Sequence, residues 1–293
     1  MKNKVISILF CLILICGVAF HLFTGDKYYS DNEKRTLKQF PKISWEQIRS
    51  GKFGDEIEGY LADQFPARDG WVTIKTLSER LSGKKESGGV YFANDGYLIE
   101  IHKGFSNKQT VANIGAVKQL QDSLAAKGIT LRVMLVPTAS DILSDKLPVY
   151  APNADQQAVI EYAKKQGLNV VDVTAALGGH KDEYIFYKTD HHWTTLGSYY
   201  AYAEWMQNRS MIPDPISAWK KEQLCGNFRG TTYAKVNYPF AAYDVIDAYY
   251  KSEKHKVDYN SGNYITDSIY ERKYLEGTNQ YATFLNSNQS NTV

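Results

Sequence analysis

Asp190, His191 and His192 stand side by side in a chain with only six histidines, inside the stretch Tyr184-Ile185-Phe186-Tyr187-Lys188-Thr189-Asp190-His191-His192-Trp193-Thr194-Thr195. Its first four residues, three aromatic and one β-branched, read as a buried strand. In extended backbone, residues i and i+2 share a face, so Asp190 and His192 are expected together, with His191 pointing away. A carboxylate placed there accepts a hydrogen bond from one imidazole nitrogen and leaves the other free as a base. That is the orienter–base half of a nucleophilic triad. The bland alternative is a satisfied surface turn. A metal reading would use Asp190, His191 and His192 as ligands, but adjacent residues on a strand diverge and a catalytic zinc needs three protein ligands. His180 and Asp182 add no recognisable ligand spacing, so neither metal nor other cofactor is expected.

The surrounding elements would have to hold this loop at the edge of a sheet. Thr194 or Thr195 can cap a following helix whose apolar positions are Leu196, Tyr199, Tyr200, Ala203 and Met206. Upstream, Val90 to Ala93, Asn94-Asp95-Gly96 and Tyr97 to Glu100 spell a hairpin. A helix through Val111, Ile114, Val117, Leu120 and Leu124 ends at Gly128. Ile129 to Val136 reads as a parallel strand covered on both faces, and Asn169 to Val173 as its neighbour after a helix from about Asp155 to Gln166. This βαβ rhythm implies an α/β fold with a mainly parallel sheet flanked by helices. The exit loop Pro137-Thr138-Ala139-Ser140 would lie at the carboxyl edge, which makes Thr138 and Ser140 candidate cleft residues. Ser140 lacks a Gly-x-Ser-x-Gly or Gly-Asp-Ser surround and is discounted as nucleophile. Beyond Ser210 the chain turns irregular and tyrosine-rich, with Asp244 to Tyr250 suggesting antiparallel strands.

The string Lys188-Thr189-Asp190-His191-His192-Trp193-Thr194-Thr195-Leu196-Gly197 resembles the signature of the bacterial DHHW family, which is in turn similar to the SGNH-hydrolase-like domain of the alginate O-acetyltransferases. Asp63-Gln64-Phe65-Pro66-Ala67-Arg68-Asp69, Val136-Pro137-Thr138, Lys146-Leu147-Pro148 and Phe228-Arg229-Gly230-Thr231 agree with it. The resemblance implies acyl transfer on O-acetyl groups of a cell-envelope or exported polysaccharide, with a possible membrane acyltransferase partner supplying the acyl donor. Asp190 and His192 would be the catalytic pair, with His191 and Trp193 shaping the loop. It also implies a serine that follows later in the chain. Asp267-Ser268 is the only Asp-Ser pair after His192, Ile265-Thr266 before it is too short for a buried strand, and Ser287 and Ser290 sit in a polar tail. The triad is therefore expected to be incomplete, and residues 25–293 to show no His192-dependent esterase activity. The alternatives are a non-catalytic envelope protein that binds glycan or a partner, and a metal-dependent hydrolase.

Ahead of this domain, Val5 to Phe23 is an apolar run of 19 residues broken by Ser7, Gly17 and His21, preceded by two lysines. It reads as a transmembrane signal anchor over residues 1–24, followed by a linker over 25–42 and the domain over 43–293, outside the cytoplasm. Cys11 and Cys16 lie in the anchor, leaving Cys225 as the only thiol beyond it, so no intrachain disulfide is expected there. Arg68 is expected to pair with Asp63 or Asp69. With 34 Lys and Arg against 32 Asp and Glu, there is no electrostatic case for nucleic acid.

Overall fold

Among the described residues helices outweigh strands; the strands pair mostly as short antiparallel hairpins, and a single βαβ unit supplies the parallel pairing. The computed structural model describes residues 4–8, 10–12, 15, 17, 25–30, 32–33, 35–105, 107–251, 256–260, 262–277, 279–286 and 289. The expected anchor falls largely outside these residues. Among the described residues no helix is long and apolar enough to cross a membrane. The chain divides into two units, Met1–Ser78 and Glu79–Val293.

In the first unit, β1 (Tyr29–Ser30) pairs antiparallel with β2 (Arg35–Thr36), and α1 (Trp45–Arg49) and α2 (Lys52–Asp63) follow, with α3 (Arg68–Leu81) starting there and running past Ser78. Ser44 caps α1 by accepting from the Gln47 amide. The buried Gln64 side chain bonds to both backbone groups of Lys27 and to the Lys38 carbonyl, at 2.8–2.9 Å. Arg35 grips Asp63 with two bonds of 2.7 and 2.6 Å, and that contact holds the Asp63 carboxyl below its ordinary range. Arg68 therefore does not pair as expected: it binds Glu33 and the Ala62 carbonyl. Of the apolar positions from Trp45 to Leu61, only Tyr60 is buried, with Phe40 edge-on at 5.3 Å.

The second unit opens with the three-stranded antiparallel sheet β3 (Glu86–Ser87), β4 (Val90–Phe92) and β5 (Leu98–Glu100). The β4–β5 turn is Asn94–Gly96, where Asp95 and Gly96 take the left-handed conformation at φ 57° and 78°. These are the residue types that adopt it at least cost. After α4 (Asn107–Ala125), Gly128 reverses the chain at φ 74°. Next come β6 (Val133–Leu135), a short α5 (Ala139–Ile142), α6 (Gln156–Lys165) capped by Asp155, and β7 (Val170–Asp172), which pairs parallel with β6.

That pair is the only parallel one among the described residues, so the mainly parallel sheet expected from sequence is corrected to a single βαβ unit among antiparallel hairpins. β6 is only half buried throughout, unlike a strand covered on both faces. The expected neighbour, Tyr184 to Tyr187, forms no ladder: Phe186 makes an isolated antiparallel bridge to Trp193. The segment satisfies its backbone by folding back on its own continuation, which removes it as a sheet strand.

α7 (Thr174–Gly178) and α8 (Thr195–Asn208) pack around a core that includes Leu143, Val173, Leu177, Ile185 and Phe186, all at most 2% exposed. Each such aliphatic side chain contributes about 1.5–3 kcal/mol of transfer free energy. β8 (Lys220–Phe228) and β9 (Asp244–Tyr250) then pair antiparallel through two irregularities in register, bearing out the strand reading of Asp244 to Tyr250. The short α9 (Thr231–Val236) lies between them in sequence, and β10 (Val257–Tyr259) pairs with β11 (Tyr264–Thr266).

Candidate active site

The polar loop from Lys188 to His191 is the tip of a tight turn. Tyr187 N donates to the His192 carbonyl at 3.3 Å and Thr194 N to the Ile185 carbonyl at 2.9 Å, closing it from both sides. Thr194 caps α8 by accepting from the Gly197 amide, and its hydroxyl donates to the Tyr184 carbonyl. A Cβ on Gly197 would run into the Ile185 carbonyl, so only glycine lets the helix start so close to the turn.

Asp244, at the start of β9 and 1% exposed, fixes the near side of the loop. It accepts from Lys188 N and Thr189 N at 2.7 Å, from the Thr189 hydroxyl at 2.5 Å and from the Tyr184 hydroxyl at 2.5 Å. Four donors on one buried carboxylate leave the residue before Asp190 no freedom, since each would otherwise go unpaired.

Asp190 is 1% exposed and saturated in the same way. Oδ1 accepts from His192 Nδ1 at 2.5 Å and from His192 N at 2.9 Å. Oδ2 accepts from Thr231 N at 2.7 Å, from the Thr231 hydroxyl at 3.0 Å and from the Tyr281 hydroxyl. Burial alone pushes the carboxyl up, but the bonds from His192, Tyr281 and Thr231 outweigh it and hold Asp190 well below the carboxylate range. Gly230 makes this approach possible, because a Cβ there would overlap the Asp190 carboxylate.

His192 is half exposed, and its bond to Asp190 raises it above the ordinary imidazole value, with burial opposing. Nδ1 is occupied by Asp190, so Nε2 is the nitrogen free for proton transfer. His192 borders a cavity of about 460 Å³ walled by Trp193, Phe228, Ile246, Tyr281 and Phe284 among others. Trp193 also packs on the central core, so it both supports the loop and lines the cavity. Two hydroxyls beside His192 in that cavity are already committed, Thr195 to the Asp247 carbonyl and Ser198 to the Thr195 carbonyl. Among the described residues no hydroxyl is hydrogen-bonded to His192.

His191 does not point away. Its ring lies 3.9 Å from that of His192, and its Nδ1 is 2.6 Å from the Thr231 hydroxyl. The segment is a turn rather than extended strand, so neighbouring side chains converge. For the same reason the divergence argument against a metal fails: ligand atoms of Asp190, His191 and His192 all lie within 4.8 Å of one another. Both Asp190 oxygens already accept several donors, however, so a cation would have to displace them. His180 is elsewhere, bonded to Glu183 at 2.6 Å and stacked on Tyr200.

Thr138 and Ser140, on the exit from β6, do meet the loop: they line a pocket of about 100 Å³ together with Asp190 and His191. Ser268, by contrast, is absorbed in a local turn with Tyr270. Sequence reasoning missed Thr231, Tyr281, Gly230 and Asp244 as site residues. They lie 41 to 91 positions from the residues they bond, and although Gly230 and Thr231 stand in the Phe228-Arg229-Gly230-Thr231 string that agrees with the resemblance, nothing local gave them a role.

Residues 92–223, the span that contains the turn, match the family model of the SGNH hydrolase-like domain of acetyltransferase AlgX. Over that span the chain is similar to an SGNH hydrolase-like domain. A DHHW family protein from Eubacterium siraeum is similar in structure at a TM-score of 0.58, with 24% identity over 70% of each chain. Bacillus cereus PatB1 with a sulfonyl adduct aligns at 0.53, with 15% identity over 69% of this chain and 71% of that one. The O-acetyltransferase domain of Pseudomonas putida AlgJ aligns at 0.43, with 19% identity over 54% of this chain and 63% of that one. No curated protein sequence matches the chain. The resemblance to DHHW proteins expected from the Asp-His-His-Trp string therefore stands, and the SGNH hydrolase-like α/β fold with it.

Proposed function

We propose that this chain is an extracytoplasmic, membrane-tethered acyl-transfer-type protein acting on O-acetyl groups of a cell-envelope or exported polysaccharide. One observation carries the reading: a buried, ionised Asp190 bonded at 2.5 Å to Nδ1 of His192, whose ring borders an open cavity. In this role His192 takes and returns a proton through Nε2, and Asp190 holds the tautomer and stabilises the imidazolium. Among the described residues no hydroxyl bonds His192, so the reading assigns roles here only to the acid–base pair. The match of residues 92–223 to an acetyltransferase domain supports the reaction class, and the apolar run ahead of the domain supports tethering outside the cytoplasm.

The test is calorimetric titration with an O-acetylated polysaccharide and with the same material after alkaline deacetylation. Binding tighter for the acetylated form by about tenfold, a difference of about 1.4 kcal/mol, and lost in His192→Ala, supports the reading. Equal binding of both forms sinks it and leaves the non-catalytic glycan- or partner-binding role.

A further inference from the structure

The Thr231 hydroxyl has one hydrogen and three polar neighbours: Asp190 Oδ2 at 3.0 Å, His191 Nδ1 at 2.6 Å, and the Tyr281 hydroxyl, whose own hydrogen goes to Asp190. An ionised carboxylate draws that hydrogen, so the hydroxyl oxygen accepts from Nδ1–H of His191. His191 then carries its lone pair at Nε2. The tautomer that Asp190 imposes directly on His192 is thus imposed on His191 through one intervening hydroxyl.

His191 lines the 100 Å³ pocket, a volume of about three water molecules. Across it, hydrogen-bond accounting leaves a donor unused. Gln156 accepts from Thr138 N at 3.0 Å through Oε1, so its amide nitrogen faces the Thr138 hydroxyl at 2.7 Å and the Ser140 hydroxyl at 3.2 Å. Those hydroxyls lie 3.0 Å apart, and one donates to the other. The second hydroxyl hydrogen has no protein acceptor among the described residues, although Ser140 is only 1% exposed. A buried donor without an acceptor is uncommon and points to a ligand. The walls include Glu100 and Asp190 and no lysine or arginine, which disfavours an anion.

We propose that this pocket is a subsite for a neutral alcohol, the hydroxyl of a saccharide acceptor, which donates to His191 Nε2 and accepts from the Thr138–Ser140 pair. Thr231 is its positioning residue. Naming the alcohol as a saccharide's rests on the acyl-transfer reading; the subsite itself does not.

The experiment is nitrogen NMR of the full chain labelled at histidine, with glycerol as the probe and acetone and acetate as controls. His191 is expected to show protonated Nδ1 and bare Nε2, converting to a tautomer mixture in Thr231→Val and retained in Thr231→Ser. Glycerol is expected to move the Nε2 signal while acetone and acetate do not. Ser140→Ala should weaken the glycerol response about threefold to tenfold, the effect of one lost hydrogen bond, with the tautomer unchanged. A protonated Nε2 in the wild type, an Nε2 signal unmoved by glycerol, or an equal response to acetate or acetone overturns the proposal. No turnover is involved, so failure of the acyl-transfer reading, measured at His192 with acetylated polysaccharide, is read separately.

Discussion

Replacing Asp190 with asparagine should reverse the tautomer of His192 and cost stability at the same time. Every group reaching the carboxylate is a donor: His192 N and Nδ1 on one oxygen, Thr231 N, the Thr231 hydroxyl and the Tyr281 hydroxyl on the other. An amide oxygen can serve only one set, and its NH2 group confronts the other. The less damaging orientation keeps the oxygen on Thr231 and Tyr281. His192 N–H is then orphaned at a cost of about 1–3 kcal/mol, and the charge-assisted surplus of the remaining bonds, about 1 kcal/mol, is lost. Because Asp190 is 1% exposed, water does not refill the site, so the expected loss is about 2–4 kcal/mol by urea denaturation. His192 Nδ1 must become an acceptor, leaving Nε2 protonated and unable to serve as base. The pH dependence has a definite sign. Asp190 is held low, so its contribution is present above about pH 4 and fades as pH falls towards the folded-state value. His192 is raised, so its contribution is complete below about pH 6.5 and is lost as pH climbs through the raised value. The gap between wild type and variant should therefore be widest from about pH 4 to 6.5. A loss under about 0.5 kcal/mol, or a variant His192 still protonated at Nδ1, refutes the account of Asp190 as orienter.

Three further outcomes are expected. Gly230→Ala drives a methyl group into the Asp190 carboxylate and should destabilise by about 3 kcal/mol or more, the upper end for overpacking; a fully stable variant with an unchanged His192 signal contradicts the packing. For residues 25–293, a fluorophosphonate should leave the chain unlabelled and p-nitrophenyl acetate hydrolysis should match between wild type and His192→Ala, whereas an adduct located by mass spectrometry would expose a nucleophile. Trypsin added outside intact cells should trim the protein to a membrane stub; full protection beside a digested surface control rules out the external placement.

What was legible in the sequence was what depends on neighbours along the chain. The β4–β5 hairpin, the helix closed by Gly128, the Asp155-capped α6 and the Thr194 cap each rest on turn or cap chemistry confined to a few residues. The Asp190–His192 bond belongs to this group because its partners are two residues apart. Periodicity misled where backbone shape, not face, decided the outcome. Tyr184 to Tyr187 has the composition of a strand, yet it bridges back to Trp193, and that turn swings His191 beside His192. The donors from Thr231 and Tyr281 arrive across 41 and 91 residues, and no local pattern encodes such pairings.

These long-range donors make the site inseparable from the fold that buries it. A carboxylate as enclosed as Asp190 is tolerable only when its lone pairs are satisfied, since an unpaired buried charge costs several kcal/mol. Two of its partners come from α9 and the Gln280–Thr283 turn, whose own packing runs through Tyr281 against Phe228 at 5.4 Å. Loosening either segment would re-expose Asp190, lower His192 towards its ordinary value and free Thr231, and with it the His191 tautomer. One carboxylate thus sets the protonation of two imidazoles facing two cavities, one of about 460 Å³ beside His192 and one of about 100 Å³ beside His191. The division suits a transfer reaction, in which an acyl group and the hydroxyl that receives it need separate places beside one orienting charge.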